Sequence, residues 1–178
     1  MLQPGSIRTR ADTDLGPRIR ELPPQKLAVV DVIGDPRVAR IRALQALYGT
    51  TETLRVRLQQ QGRGFVPAPL RARWPEAQIG PRHAWHSTWA VPIPADTAAL
   101  PVTHSKHPAR IEVWAYGQVA EITHKGPEAT KPASVRWLHE FIHREGYRIA
   151  GWYEEEYQGP WTRRGDVVIR YPIVRAAR

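Results

Sequence analysis

The residues best suited to chemistry lie in one short stretch, which begins at Tyr147 and has the sequence YRIAGWYEEEY. Its aromatic and β-branched residues favour a β-strand, in which successive side chains point to opposite faces. Tyr153, Glu155 and Tyr157 are therefore expected on one face of the strand, with the other two glutamates on the opposite face. A carboxylate flanked by aromatic rings suits a flat, apolar and often cationic ligand. The stretch therefore predicts a ligand site centred on Glu155.

A second interpretation of the same stretch involves no ligand. Strands are depleted in Glu, and natural proteins place charged residues on edge strands to prevent aggregation. Under this interpretation Glu154 and Glu156 face water, and the strand lies at the edge of a sheet. The residues alone leave both interpretations open.

The composition is typical of a protein with a hydrophobic core. The chain has 178 residues, 42% of them hydrophobic and 24% charged, which is enough for one domain or two small similar halves. No apolar run has the length of a membrane span, and no secretion signal is recognised, so we expect a cytoplasmic protein without membrane contact. The absence of cysteine excludes disulfides, thiolate metal sites and a cysteine nucleophile.

The positive charge of the chain raises the question of a nucleic-acid partner. The formal net charge is +9 and the pI is about 10.5. However, the arginines are spread along the chain, and neither a block of consecutive basic residues nor a nucleic-acid-binding motif is present. We therefore expect no sequence-specific binding of nucleic acid, while weak and salt-sensitive attraction remains open.

Apolar patterns and turn residues divide the chain into strands and helices. Residues 1–21 are polar and are expected to form a partly ordered arm, followed by a single domain at 22–178. Gly34-Asp35-Pro36 predicts the end of a strand and the start of a helix, which bends near Gly49 and ends at Gly62. The other predicted elements are a helix at 133–145 and strands at 27–33, 65–73, 84–93, 110–123, 149–157 and 167–174.

The second half of the chain repeats the plan of the first. Each half has the order strand–helix–strand–strand, with module one at about 22–96, a connector at 97–108 and module two at about 109–178. The paired landmarks are Gly34-Asp35-Pro36 with Gly126-Pro127-Glu128, Gly62 with Gly146, and Val91-Pro92-Ile93 with Tyr171-Pro172-Ile173. Such a duplication predicts an α+β fold in which two pseudo-symmetric modules form an antiparallel sheet with a central ligand cleft.

A zinc-peptidase motif, H-E-x-x-H, occurs at residues 139–143. In the predicted helix the apolar stripe faces the sheet, so His139 and His143 are expected on the solvent side beside Arg136 and Arg144. No third ligand follows at a helical spacing. We therefore expect no metal site.

The chain resembles the GyrI-like family of small-molecule-binding domains, which also supplies the effector domains of multidrug-responsive transcription activators. The resemblance covers about residues 22–174. In the second half it rests on VAEITHKGP, LHEFIHREGY and YEEEYQGP, where Glu155, Tyr157 and Pro160 match the E-x-Y-x-x-P motif of the family. In the first half, VVDVIGDP and ALQALYGT resemble a stand-alone branch of the family with a G-x-P turn and a Leu-Tyr pair. The chain departs from the family at Glu128, where an aromatic residue is frequent, and near Lys131, where an acidic residue is usual.

The resemblance implies an aromatic pocket with Glu155 at its floor. Some stand-alone members of this branch hydrolyse cyclopropane-containing, DNA-alkylating natural products and so protect the cell from them. The implied function is therefore self-protection, or antibiotic resistance, by hydrolysis of such a genotoxin without a cofactor. Glu155 would act as general base on a water, and the hydroxyl of Tyr157 or Tyr48 would donate to the negative charge that develops on the substrate.

Further aromatic residues are candidates for the pocket wall, namely Tyr153, Trp85, Trp89, Trp114, Tyr116 and Tyr171. Core packing is the simpler explanation for any single ring. Core packing alone explains the whole set of seven tryptophans less well, because each indole N–H needs a hydrogen-bond partner.

Two other functions remain open. The domain could bind and sequester a drug without catalysis, with Glu155 pairing with a cationic ligand. It could also act on a protein partner such as a topoisomerase, although no sequence feature indicates that partner. No DNA-binding domain is recognised in the sequence, so activation of transcription would require a partner that supplies one.

Overall fold

A computed structural model describes residues 16–66, 68–74, 81–159 and 165–177, and within these residues it contains nine strands and two helices. The strands are β1 (Arg18–Leu22), β2 (Gln25–Ile33), β3 (Leu70–Trp74), β4 (His86–Pro92), β5 (Arg110–Trp114), β6 (Gly117–His124), β7 (Tyr147–Ile149), β8 (Tyr153–Tyr157) and β9 (Val167–Arg175). The helices are α1 (Pro36–Gln60) and α2 (Lys131–Arg144). The fold is therefore of the α+β class, as the sequence predicts.

The strands form an antiparallel sheet with β3 and β8 at its centre. The order is β1-β6-β9-β8-β3-β4-β2-β5, and β7 pairs with β9 beside this path. Outward from the centre, β4 and β2 of the first half correspond to β9 and β6 of the second half. The two halves are thus related by a pseudo-twofold axis that passes between β3 and β8.

The pairing register supports this internal symmetry residue by residue. Across the central strands Ala72 pairs with Glu155. The residues in register from the centre outward are Ala72, Trp89 and Val30 in the first half and Glu155, Ile169 and Ile122 in the second. The sequence landmarks agree with this correspondence, because Trp89 and Ile169 each precede a Val-Pro-Ile or Tyr-Pro-Ile segment by the same number of residues.

The sheet curls strongly, because its two ends are joined by short connections. Pro23 and Pro24 alone link β1 to β2, and Ala115 and Tyr116 alone link β5 to β6. Each pair of linked strands stands six places apart in the sheet, which is about 29 Å in a flat sheet, whereas each link spans only about 10 Å. The sheet therefore wraps around one face, which we call the inner face. The other face, the outer face, carries both helices.

Each helix covers one half of the outer face. Asp35 caps α1 by accepting a hydrogen bond from the Arg37 N–H, with Pro36 at the first helical position. The helix then packs on β2 and β4 through the cluster around Leu47, while α2 packs on β6 and β7 through Leu138. The central strands β3 and β8 lie in the gap between the helices.

The described end of the predicted arm forms a strand, because β1 pairs with β6 over its whole length. Two predicted strands are wrong in their extent, because each is divided in the structure. The predicted strand at 110–123 is two strands, β5 and β6, separated at Ala115 and Tyr116, and Gly117 has the positive φ of +63° that this turn requires. The predicted strand at 149–157 is likewise divided at residues 150–152, where the Gly151 backbone passes so close to Pro172 that a Cβ would lie 2.8 Å from the Pro172 Cγ.

The helix predicted to bend near Gly49 is one continuous element from Pro36 to Gln60. Thr50 and Thr51 are buried in it, and their hydroxyls donate to the carbonyls of Ala46 and Leu47 one turn earlier. Within the described ranges, neither helix is long and apolar enough to cross a membrane.

Candidate functional site

Glu155 lies at the centre of the sheet. Its strand, β8, pairs with β3 on one side and with β9 on the other, and the residue is 1% exposed. The edge-strand interpretation is therefore wrong. The carboxylate lies on the outer face beside the pseudo-twofold axis, at the gap between α1 and α2. In the first half the corresponding position is Ala72, so only the second half supplies an acid there.

Three groups donate to the Glu155 carboxylate. The Tyr153 hydroxyl donates to Oε1, and the Tyr157 hydroxyl donates to Oε2 over 2.6 Å. The Lys131 Nζ lies 2.5 Å from Oε1. The two tyrosines and Glu155 therefore share one face of β8, as predicted, and both carboxylate oxygens are engaged.

Lys131 is a residue of this site that the sequence analysis did not assign. It is the first residue of α2, directly after the short helical turn Glu128–Thr130, and its ammonium group also contacts the Glu128 carboxylate. Burial alone would lower the pKa of Lys131, but the charge of Glu155, together with Glu128, outweighs burial and raises this pKa above its ordinary value. Lys131 therefore remains an ammonium and compensates the charge of Glu155. The sequence indicated this residue only indirectly, because the GyrI-like family that the chain resembles usually has an acidic residue near this position.

Five aromatic rings form a continuous series of contacts that includes both tyrosines bound to Glu155. Trp89 is stacked on Tyr157, with ring centroids 5.9 Å apart and an interplanar angle of 13°, and meets Trp74 edge-on at 6.0 Å. Tyr153 lies 5.5 Å from Trp74 and 5.5 Å from Tyr171. We call these five rings, which run across β4, β3, β8 and β9, the aromatic cluster. Trp74, the last residue of β3, was not among the predicted site residues.

The rings of the aromatic cluster differ in accessibility. Trp89 is 1% exposed, and its indole N–H donates to the Ser87 hydroxyl over 2.8 Å, so this ring has the contacts of a core residue. Tyr153, Tyr157 and Tyr171 are half-buried. The tyrosines therefore form the part of the cluster that a ligand can reach.

The tyrosine hydroxyls of the cluster stay protonated. Burial raises the pKa of Tyr171 to about 12, and the charge of Glu155 acts in the same direction. The same two causes raise the pKa of Tyr153 and of Tyr157 far above the ordinary value. Among the residues that the structure describes, none forms a hydrogen bond with the Tyr171 hydroxyl. Tyr171 therefore has a donor available for a ligand.

Both helices border the aromatic cluster. The Arg40 guanidinium of α1 lies 4.5 Å from the centroid of the Tyr157 ring. The His139 imidazole of α2 meets Tyr171 at 5.0 Å with an angle of 60°. His139 therefore contacts the site through its ring rather than lying wholly on the solvent side. No group of three His, Asp or Glu side chains within the described ranges is arranged to hold a metal ion.

Trp114 and Tyr116 lie on the inner face, opposite to Glu155. The Arg73 guanidinium stacks over Trp114 at 3.7 Å, and the Arg71 guanidinium donates to the Tyr116 hydroxyl over 2.6 Å. Both rings are buried with Leu27 and other inner-face residues. They are therefore separated from the aromatic cluster by the sheet and do not belong to the same site.

Glu154 and Glu156 also point to the inner face, where they are not solvated. Glu154 is 1% exposed and binds Arg73 at 2.6 Å and Arg170 at 2.9 Å. Glu156 lies 3.0 Å from Arg71 and 2.9 Å from Arg170. The prediction that these two glutamates face water is wrong, because the curl of the sheet encloses them. The three consecutive carboxylates thus serve two separate environments.

Two further predicted site residues, Tyr48 and Trp85, also lie away from the aromatic cluster. Tyr48 is 59% exposed on α1, near Arg55. Trp85 ends the short turn that precedes β4, and the Arg82 guanidinium lies 5.4 Å from its ring centroid. Pro160 of the E-x-Y-x-x-P motif lies outside the described residues.

Comparisons with solved structures show the same fold at low sequence identity. An uncharacterized conserved protein from Listeria innocua superimposes with a TM-score of 0.76 and 21% identity, covering 90% of this chain and 93% of that one. A hydrolase from Listeria innocua superimposes with a TM-score of 0.73 and 21% identity, covering the same shares of the two chains. The C-terminal domain of EcmrR superimposes with a TM-score of 0.59 and 13% identity, covering 91% of this chain and 99% of that domain. No protein-family model and no curated protein matches the sequence.

These neighbours confirm the fold that the resemblance to the GyrI-like family implies. The likeness extends over nine-tenths of the chain, so it includes both modules. At about one-fifth identity it concerns the fold alone, and the function must be argued from the residues of the site.

Proposed function

We propose that this protein is a GyrI-like small-molecule-binding protein in which the aromatic cluster around Glu155 receives a flat, electrophilic aromatic compound and the site adds water to it. The observation that carries the proposal is a buried carboxylate within the aromatic cluster, with the Tyr171 hydroxyl beside it and available to a ligand. Buried charges are costly and occur mostly where they have partners or a function. Here one acid occupies a position where the duplicated module has Ala72.

The aromatic cluster supports the binding part of the proposal. Flat rings gain dispersion and quadrupole contacts by stacking, and half-buried tyrosines present both an apolar face and a polar end to a ligand. The ion pair with Lys131 leaves Glu155 little net charge to attract a cation. The site therefore favours a neutral ligand with a carbonyl or hydroxyl group over a permanent cation.

The proposed reaction is the addition of water to a cyclopropane fused to a dienone. Glu155 takes a proton from water while the water oxygen bonds to a cyclopropane carbon. The ring C–C bond to that carbon breaks, and its electron pair moves through the dienone to the carbonyl oxygen, which becomes a phenolate. The proton then returns to that oxygen, so the product is the substrate plus one water and no longer alkylates DNA.

Residues of the second module supply the remaining roles. The Tyr171 hydroxyl, whose pKa is about 12, stays protonated and donates to the oxygen that gains negative charge. The Lys131 ammonium stabilises the same charge when water displaces it from Glu155. Tyr153 and Tyr157 hold the carboxylate in place through their hydroxyls.

Binding without catalysis is the second candidate function, and the Lys131 contact favours it. The two tyrosine hydroxyls and the Lys131 ammonium occupy both oxygens of the Glu155 carboxylate, so no oxygen is open to a water while these contacts hold. If no water displaces Lys131, the aromatic cluster holds the compound unchanged and lowers its free concentration.

Incubation of the protein with a cyclopropane-bearing DNA alkylator, followed by mass spectrometry, tests the proposal. We expect catalytic conversion of the parent compound to its water adduct, with many turnovers per protein. If the compound binds in isothermal titration calorimetry but is recovered unchanged, hydrolysis is refuted and the binding function is retained. A panel of neutral flat aromatic compounds that all fail to bind would refute the small-molecule site itself.

A further inference from the structure

A basic groove lies on the outer surface of the first module, away from the aromatic cluster. It has a volume of about 760 Å3 and runs between α1 and the connector that precedes β5. Its lining consists of Arg42, Gln45, Ala46 and Gly49 from α1 and residues 103–107 (Thr-His-Ser-Lys-His) from the connector. We call it the connector groove.

Among the described residues, the lining of the connector groove contains positive groups and no carboxylate. Arg42 and Lys106 are exposed, and no acidic side chain among the described residues lies within 4.0 Å of either charge. This contrasts with most arginines of the structure, such as Arg55, Arg110 and Arg170, which bind carboxylates. Two uncompensated cations therefore face the same groove.

The other side chains of the connector groove are hydrogen-bonding groups. Gln45, Thr103 and Ser105 carry amide or hydroxyl groups, and His104 and His107 carry imidazoles. Amide, hydroxyl and basic side chains make most protein contacts to phosphate oxygens. Within the part of the chain that the structure describes, the lining includes no Trp, Tyr or Phe on which a base could stack. The groove is thus suited to phosphates rather than to bases.

Hydrogen bonds hold the connector side of the groove in place, and the α1 side is open at Gly49. The Thr50 and Thr103 hydroxyls lie 3.4 Å apart and join the connector to α1, and the Ser105 hydroxyl accepts a hydrogen bond from the His107 N–H over 3.1 Å. At Gly49 no atom lies within 4 Å of the position of a Cβ. An extended backbone can therefore approach the helix closely at this point.

We infer that the connector groove binds the phosphate backbone of nucleic acid without sequence preference. The net charge of +9 supplies the long-range attraction, and Arg42 and Lys106 supply contacts that release counterions. This binding is consistent with the expectation that sequence-specific recognition is absent, because the groove would contact the charged phosphates and not the bases. The inference is independent of any reaction at Glu155.

Fluorescence anisotropy with a labelled DNA duplex of mixed sequence tests the inference over a range of salt concentrations. The double variant Arg42→Gln/Lys106→Gln removes both cations of the groove. The control Arg136→Gln/Arg148→Gln removes two exposed cations of the second module, so both variants lose the same charge. Because all four side chains are exposed, both variants should fold, which circular dichroism would verify.

We expect the wild-type protein to bind the duplex with a salt dependence typical of phosphate contacts. The groove variant should reduce affinity at least about tenfold and make the slope of log K against log salt shallower by about 1.8, while the control should keep a slope near the wild-type value. Absence of wild-type binding, unchanged affinity in the groove variant, or equal loss in both variants would overturn the inference.

Discussion

Lys131 and Glu155 form a buried ion pair that joins the first residue of α2 to the central strand β8. The Lys131 Nζ lies 2.5 Å from the Glu155 Oε1, with side-chain exposures of 16% and 2%. The contact holds the first turn of α2 over the aromatic cluster, and the charge of Glu155 raises the pKa of Lys131. It therefore connects the position of a helix with the chemistry of the site.

The ion pair should be visible as energetic coupling. Lys131→Met leaves the buried Glu155 without its cation, so we expect a loss of stability that Glu155→Gln, in the same chain, partly restores. A double-mutant cycle measured by urea unfolding should give a coupling free energy of about 1–3 kcal/mol. Additive effects of the two substitutions would show that the pair is not formed in solution.

Alkaline pH should destabilise the protein through its buried tyrosines. The folded-state pKa of Tyr116 and of Tyr171 is about 12, in both cases mainly because of burial, whereas a tyrosine in the unfolded chain has a pKa of about 10. Between these values the unfolded chain binds fewer protons, so the free energy of unfolding falls as pH rises from about 10 to about 12. Urea unfolding across this range measures the fall, and a flat profile would contradict the burial of these hydroxyls.

The inner-face ion network should depend on Arg170. This residue is 4% exposed and contacts Glu121 at 3.2 Å as well as Glu154 and Glu156. Arg170→Met leaves buried carboxylates undercompensated and should lower the free energy of unfolding by about 3–5 kcal/mol. The control Arg148→Met, at an exposed position, should change it by less than about 0.5 kcal/mol. Equal effects of the two substitutions would refute the network.

Two glycine substitutions should have opposite effects. At Gly151 a Cβ would lie 2.8 Å from the Pro172 Cγ and 3.2 Å from its Cβ, so Gly151→Ala should destabilise the fold by about 1–3 kcal/mol. At Gly49, in the middle of α1, a Cβ meets open space, so Gly49→Ala should stabilise it by about 0.5–1 kcal/mol. Thermal unfolding of both variants measures the two effects. Stabilisation by Gly151→Ala would contradict the close approach of the β7–β8 connection to β9.

The internal duplication, and the set of side chains that share the outer face of β8, could be predicted because both depend on local sequence patterns. Alternation places Tyr153, Glu155 and Tyr157 together without knowledge of other strands, and the paired Gly and Pro landmarks mark equivalent turns. The position of β8 in the sheet depends on long-range pairing, which these patterns do not contain. For that reason Glu154 and Glu156 were expected in water although the curled sheet encloses them.

The remaining site residues could not be identified from local patterns. Lys131 reaches Glu155 only because α2 packs over β6 with its first turn above β8, and Trp74 joins the cluster only through the β3–β8 pairing. Conversely, Trp114 and Tyr116 were grouped with the site on aromatic character, which does not distinguish the two faces of a curled sheet.

The most direct test of the account compares initial rates of conversion of a cyclopropane-bearing alkylator by wild type, Glu155→Gln and Glu140→Gln. Glu140 is an exposed glutamate of α2, so its substitution controls for the change in charge. General-base catalysis contributes about 100- to 10,000-fold, so Glu155→Gln should reduce the rate by at least about 100-fold while Glu140→Gln retains it. If Glu155→Gln converts the compound as fast as wild type does, Glu155 is not the base and the central claim is wrong.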